Sequence, residues 1–90
     1  MDLSKIPEHM RESVILYVDH GIPPGGFLRA VLENNLTEAA AQADEINKHH
    51  LYDWACVMYN EIPQIARGSR EMVDRWLKFY EDIRNTRGGS

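Results

Sequence analysis

Apolar residues recur at spacings of three and four along most of this 90-residue chain. That period is typical of an amphipathic α-helix, whereas a half-buried strand would alternate at every second residue. The first such stretch covers residues 5–19, with apolar positions at Ile6, Met10, Val14, Tyr17 and Val18. Ser4 is suited to cap this helix at its start, and Gly21 is suited to end it in a left-handed conformation. We therefore predict a first helix over residues 5–19.

The segment 22–26 interrupts the helical pattern, because it contains two prolines followed by two glycines. A residue before proline is disfavoured in the helical region, and glycine reaches backbone angles closed to other residues. The apolar pattern resumes with Phe27, and it predicts a second, short helix over residues 25–34. The asparagines at 34–35 are expected to end it, since asparagine tolerates the left-handed conformation.

A third helix is predicted over residues 38–46, which are rich in alanine, with Thr37 as its N-cap. The polar residues 47–50 then interrupt the apolar pattern, and a fourth helix is predicted over 51–60. One continuous helix over residues 38–61 is the alternative that the sequence leaves open.

Pro63 ends this part of the chain, and residues 64–68 are predicted to form a loop. Ser69 is a suitable N-cap for a last helix that extends to about Arg84. Its apolar stripe consists of Met72, Val73, Trp76, Leu77, Tyr80 and Ile83. We expect residues 85–90 to be a flexible tail.

Length and composition indicate one domain, since 90 residues are too few for two cores. The sequence thus predicts an all-α, compact bundle of four to five short helices over residues 1–84. The single cysteine, Cys56, excludes an internal disulfide. No apolar run is long enough for a membrane span, and no signal peptide is visible, so we expect a cytoplasmic protein.

The net charge of −4 argues against general nucleic-acid binding. Residues 1–66 carry four basic and ten acidic side chains, whereas residues 67–90 carry six basic and four acidic ones. The acidic larger part is suited to basic protein surfaces.

Two glycine-containing turns are the candidate anion sites. Gly25 and Gly26 precede the second helix, whose first backbone N–H groups are free, and Arg29 follows one turn later. Arg67 and Arg70 flank the start of the last helix and could hold a phosphate with forked guanidinium groups. The alternative interpretation of both segments is a tight turn with ordinary helix capping.

Aromatic residues supply the candidate interface. Trp54 and Trp76 fall on the predicted core stripes, whereas four other aromatic residues could form a protein-binding surface: Tyr52, Tyr59, Phe79 and Tyr80. We expect no catalytic residue, metal or cofactor, because no nucleophile–base pair stands out and the four histidines lack metal-ligand spacing.

Several segments are similar to a group of small uncharacterised all-helical proteins of tailed bacteriophages and mobile elements. They are residues 20–36, 43–47 and 59–63, and Gly68-Ser69 ahead of Trp76. Asn35 occupies a position where many relatives have aspartate, so no carboxylate is required there. The resemblance implies a protein that antagonises host defence or another host factor, in the cytoplasm of the host cell.

The leading hypothesis is therefore a non-enzymatic, homo-oligomeric binding protein that occupies a host protein or sequesters a host signal. The alternative is an oligomeric binder of a small phosphorylated nucleotide.

Overall fold

Five α-helices and two short 3-10 turns make up the secondary structure of the computed structural model, which describes residues 1–88. The helices are α1 (Glu8–His20), α2 (Gly26–Leu32), α3 (Leu36–Gln42), α4 (Leu51–Glu61) and α5 (Arg70–Gly88), and the 3-10 turns are Asn47–His50 and Gln64–Ala66. Residues 1–88 contain no strand, and the prediction of a small all-α domain is confirmed. None of these helices combines the length and the apolar character needed to cross a membrane.

Helix α1 begins later than the sequence indicated. Its N-cap is Pro7, and Ser4 lies before the helix, where its hydroxyl donates to the Asp2 carboxylate at 2.7 Å. The expectation that Ser4 caps this helix was therefore wrong, because Asp2 and the proline shift the start by one turn. Gly21 ends the helix with φ of 63°, as predicted.

Helices α2 and α3 are joined by a tight turn. Asn34 has φ of 61°, which confirms the predicted left-handed end of α2. The N-cap of α3 is Asn35, whose side chain accepts a hydrogen bond from the Glu38 backbone N–H at 3.1 Å. The assignment of this cap to Thr37 was wrong, because α3 begins directly after Asn35, two residues earlier than the sequence indicated.

Helices α3 and α4 are separate, so the continuous helix over 38–61 is excluded, but α3 ends four residues earlier than predicted and residues 47–50 form a 3-10 turn that leads into α4. Helix α3 ends at Gln42, and Asp44 then accepts a hydrogen bond from the Asn47 backbone N–H at 2.6 Å to start the 3-10 turn. The hydrogen bond from that N–H holds the pKa of Asp44 below its ordinary value.

Helix α5 begins as predicted, because the Ser69 hydroxyl accepts from the Met72 N–H at 3.2 Å. It continues past Arg84, so residues 85–88 are helical where the sequence suggested a tail. Residues 89–90, the rest of that predicted tail, lie outside the described residues. The loop over 64–68 contains a 3-10 turn.

The core is built around Tyr17, whose hydroxyl donates to the Ala66 carbonyl at 2.6 Å and is fully buried. This bond joins α1 to the segment before α5. Desolvation raises the pKa of Tyr17 above its ordinary value, because burial disfavours the phenolate.

We expect Tyr17→Phe to lower the free energy of unfolding by about 1–3 kcal/mol, because the buried Ala66 carbonyl loses its donor. The raised pKa of Tyr17 also makes stability depend on pH. The contribution of the Tyr17 hydroxyl to the free energy of unfolding is fully present below the ordinary tyrosine pKa of about 10, and it falls as pH rises above that value. Urea unfolding at pH 7 to 11 measures both effects. Tyr52→Phe, on an exposed phenol, is the control. If Tyr17→Phe and wild type lost the same free energy of unfolding between pH 7 and 11, the pH dependence would not come from Tyr17.

Helix α5 also closes the end of α1. The Trp76 indole N–H donates to the Tyr17 carbonyl at 2.9 Å, and Arg84 donates to the His20 carbonyl at 2.8 Å. Both carbonyls belong to the last turn of α1; that of Tyr17 also accepts from the Gly21 backbone N–H at 3.0 Å. Helix α5 is therefore fixed along the chain reversal at Gly21.

Candidate protein-binding groove

An apolar groove of about 230 Å³ lies between α2, α3 and α4. Its lining is Ala30, Val31, Asn34, Asn35, Leu36, Ala39, Leu51, Trp54, Ala55, Met58, Tyr59 and Arg67. The short turn after α2 places α3 beside α2. The non-helical segment between α3 and α4 then separates α4 from this pair, and the groove lies between the three helices. Its floor is aliphatic and aromatic, so its chemistry suits an apolar side chain.

The rim of the groove carries two large apolar side chains with little protein around them. Leu36 is 74% exposed and Tyr59 is 78% exposed. On α4, Tyr52 and Ala55 are exposed on the same side as Tyr59, at spacings of three and four residues. A helix face of this kind is normally covered, so it marks a surface suited to a partner.

Arg67 lies at one end of the groove with its guanidinium already held. It donates to the backbone carbonyls of Ile62 at 3.2 Å and Tyr59 at 3.4 Å, and it lies 5.8 Å from the centre of the Tyr59 ring. These carbonyls are at the end of α4, so Arg67 completes that helix end. It also orients Tyr59 on the rim.

Arg29 does not reach the groove. Its guanidinium donates to Glu33 at 2.7 Å and also to Asp74, which connects α2 to α5. The hydrogen bond with Glu33 raises the pKa of Arg29. With two carboxylates as partners, Arg29 serves as a bridge between helices.

The remaining predicted anion-site residues lie at helix starts. Gly25 is the N-cap of α2 and Gly26 its first residue, and Arg70 is the exposed first residue of α5. Gly26 faces Gln42, since a Cβ there would be 3.3 Å from the Gln42 side-chain oxygen. Of the five predicted anion-binding residues, Arg67 alone lines this groove.

The predicted interface aromatics divide between two surfaces. Tyr52 and Tyr59 belong to α4, and Tyr59 lines the groove. Phe79 is exposed on α5 and lines a different hollow. Tyr80 is half-buried instead, because it packs against Gly21 and lies 5.3 Å from the Trp76 ring.

Sequence reasoning missed Leu36 and Met58 as groove residues. Leu36 directly precedes the predicted cap at Thr37, so it was assigned no helix face, and Met58 fitted the α4 core stripe. An apolar residue next to the first turn of a helix often contacts another apolar residue one turn later, and it can also border a groove. This position could have identified Leu36.

Within residues 1–88, no cluster of three or more histidine, cysteine or carboxylate side chains could hold a metal ion. Comparison with protein-family models, with curated proteins and with solved structures finds no match to this chain. The groove must therefore be interpreted from its own geometry.

Proposed function

We propose that this protein is a non-enzymatic binding protein that holds an apolar side chain of another protein in the groove between α2, α3 and α4. The observation that carries the proposal is an open apolar groove whose rim residues, Leu36 and Tyr59, are mostly exposed. Interface hot spots typically combine aromatic and arginine side chains around a pocket, as Tyr59 and Arg67 do here.

The volume of the groove favours a protein partner. Pockets for small molecules usually measure about 300–1,000 Å³, and this groove has about 230 Å³. A space of that size suits one or two large side chains from a helix or loop. Its single guanidinium, on Arg67, is engaged with backbone carbonyls, so little charge is directed at a phosphate.

The charge of the molecule further defines the partner. Residues 1–66, which supply α1 to α4, carry ten acidic and four basic side chains. A partner with an apolar anchor inside a basic surface would be attracted at long range and then held in the groove. The resemblance to phage proteins adds that the partner is a host protein, occupied and thereby antagonised in the host cytoplasm.

The test compares wild type with Leu36→Glu, which introduces a charge at the rim without disturbing the core, because Leu36 is exposed. Each protein is immobilised and exposed to bacterial lysate, and the retained partner is then purified for titration. We expect Leu36→Glu to raise the dissociation constant by at least about tenfold. Ile46→Glu is the matched control, since Ile46 is exposed and does not line the groove. Equal retention by wild type and Leu36→Glu would exclude the groove as the site.

The nucleotide alternative is tested by thermal unfolding with mono- and dinucleotides. A ligand at 100 times its dissociation constant adds about 2.7 kcal/mol of stability, which is a shift of about 10 °C or more for a domain of this size. We expect no such shift, because Arg29 is paired with two carboxylates and Arg67 already donates to two backbone carbonyls. A shift that disappears in Arg70→Ala would favour the nucleotide alternative instead.

A further inference from the structure

A second apolar surface lies on α5, away from the groove. It surrounds a hollow of about 280 Å³ lined by Ile65, Met72, Arg75, Trp76 and Phe79, none of which lines the groove. Phe79 is 55% exposed and Ile65 is also exposed. Trp76 and Phe79 form a tilted ring pair with centres 6.3 Å apart, so the Phe79 ring on the side of the hollow contacts the Trp76 ring of the same helix.

The positions on this side of α5 follow a seven-residue repeat. The stripe is Met72, Arg75, Phe79, Asp82 and Thr86, with spacings of three and four. Such spacing places the five side chains on one face of the helix, with Met72 and Phe79 as its apolar members. Helix α5 has 19 residues, which corresponds to about 28 Å. Val73 and Tyr80 on the neighbouring stripe pack against the rest of the chain, whereas on this stripe Met72 is half-buried and the other four side chains are exposed.

The charges on the stripe are arranged for pairing with an identical stripe in the opposite direction. Arg75 lies one turn before Phe79 and Asp82 one turn after it. In an antiparallel pair, Arg75 of one copy lies opposite the Phe79–Asp82 turn of the second copy. There the guanidinium can stack on the ring and pair with the carboxylate. A two-fold axis repeats the contact, because such an interface uses the same patch on both copies. A parallel pair would place Arg75 against Arg75.

Both charged groups are available for that contact. Among the described side chains Asp82 pairs with Lys78 at 3.7 Å, and both of these side chains are more than half exposed. Arg75 is exposed as well. Exposed pairs within one helix contribute little, so exchange for an intermolecular partner is easy. A weak specific dimer buries about 600 Å² on each subunit. That is about a tenth of the 5896 Å² surface of this chain, and a stripe along the whole of α5 can supply it together with Ile65 and Trp76.

We propose that this protein forms a homodimer in which the Met72–Thr86 stripe of α5 pairs antiparallel with the same stripe of a second copy. The groove between α2, α3 and α4 stays open in this dimer, so each copy keeps its own binding surface. The dimer and the groove function are separate, and either can fail without the other.

Sedimentation velocity over a range of protein concentrations tests the dimer with four proteins: wild type, Arg75→Asp, Asp82→Arg and the double variant that exchanges both charges. Wild type should sediment at twice the monomer mass of 10.4 kDa. Each single reversal places like charges together and should raise the dissociation constant at least about tenfold. The double exchange should recover most of the affinity, because opposite charges face each other again.

Two further variants separate this surface from others. Phe79→Glu should be monomeric and fully helical, since Phe79 is exposed. Leu36→Glu, on the groove rim, should dimerise like wild type. If wild type stayed monomeric up to about 1 mM, the dimer proposal would be wrong, and the α5 surface would have to bind a different protein. A dimer unaffected by Phe79→Glu, or a double exchange no tighter than the single reversals, would also overturn it.

Discussion

Replacing Gly21 with alanine is expected to lower the free energy of unfolding by about 2–5 kcal/mol, because backbone strain and a steric clash add together. Gly21 has φ of +63°, which an alanine adopts only with strain. The new Cβ would also lie 2.2 Å from the Cβ of Tyr80. Because that atom is fixed to the α5 backbone, the helix itself would have to move.

Thermal and urea unfolding measure this effect, and a fall in Tm of about 10 °C or more is expected for a domain of this size. Gly68→Ala is the matched control: Gly68 has φ of +111° and no atom within 4 Å of a Cβ. It should therefore cost only the backbone strain, about 1–3 kcal/mol. If the two variants lose equal stability, the close approach of Tyr80 to Gly21 is not what holds α5 in place.

The second large effect is expected for Trp54→Ala, which should cost about 3–5 kcal/mol. Trp54 is 1% exposed and meets the Phe27 ring edge-on, with the ring centres 5.4 Å apart. It also forms part of the groove floor, so the same change should weaken partner binding. Tyr52→Ala, on the exposed face of the same helix, should change stability by less than about 0.5 kcal/mol. A similar loss in both variants would contradict the core position of Trp54.

The polar partner of Trp54 is a separate test. Its indole N–H donates to the side-chain oxygen of Asn47 at 3.2 Å, and Asn47 is buried. Asn47→Ala should cost about 1–3 kcal/mol, because it leaves a buried donor unpaired. In a Trp54→Phe background the cost should be smaller by about 1 kcal/mol, as a double-mutant cycle would show. Additive losses would mean that the two side chains are not coupled.

The local chemistry of the chain was enough to place most helix ends. The left-handed ends at Gly21 and Asn34 and the Ser69 cap follow from residue types that favour these conformations regardless of the rest of the fold. The errors at Ser4 and Thr37 concern which of several good capping residues is used. That choice depends on the neighbouring turn, and side-chain propensity alone does not distinguish them.

The candidate site could not be predicted in the same way. The sequence suggested an anion pocket, because arginines near helix starts are suited to phosphate. Only the tertiary structure decided that Arg29 pairs with Asp74, 45 residues away, and that Arg67 completes the end of α4. Long side chains take the nearest strong partner, and the identity of that partner is set by packing.

The sequence by itself determined the all-α class and the helix end at Gly21, since periodicity and backbone preferences are local properties. The tertiary structure decided which apolar residues remain uncovered, because exposure depends on how α2, α3 and α4 pack together. Three uncovered residues are of types that usually lie in a protein core: Leu36 and Tyr59 on the groove, and Phe79 on α5. Their positions between and beside helices leave them exposed, which is what our two binding proposals rest on.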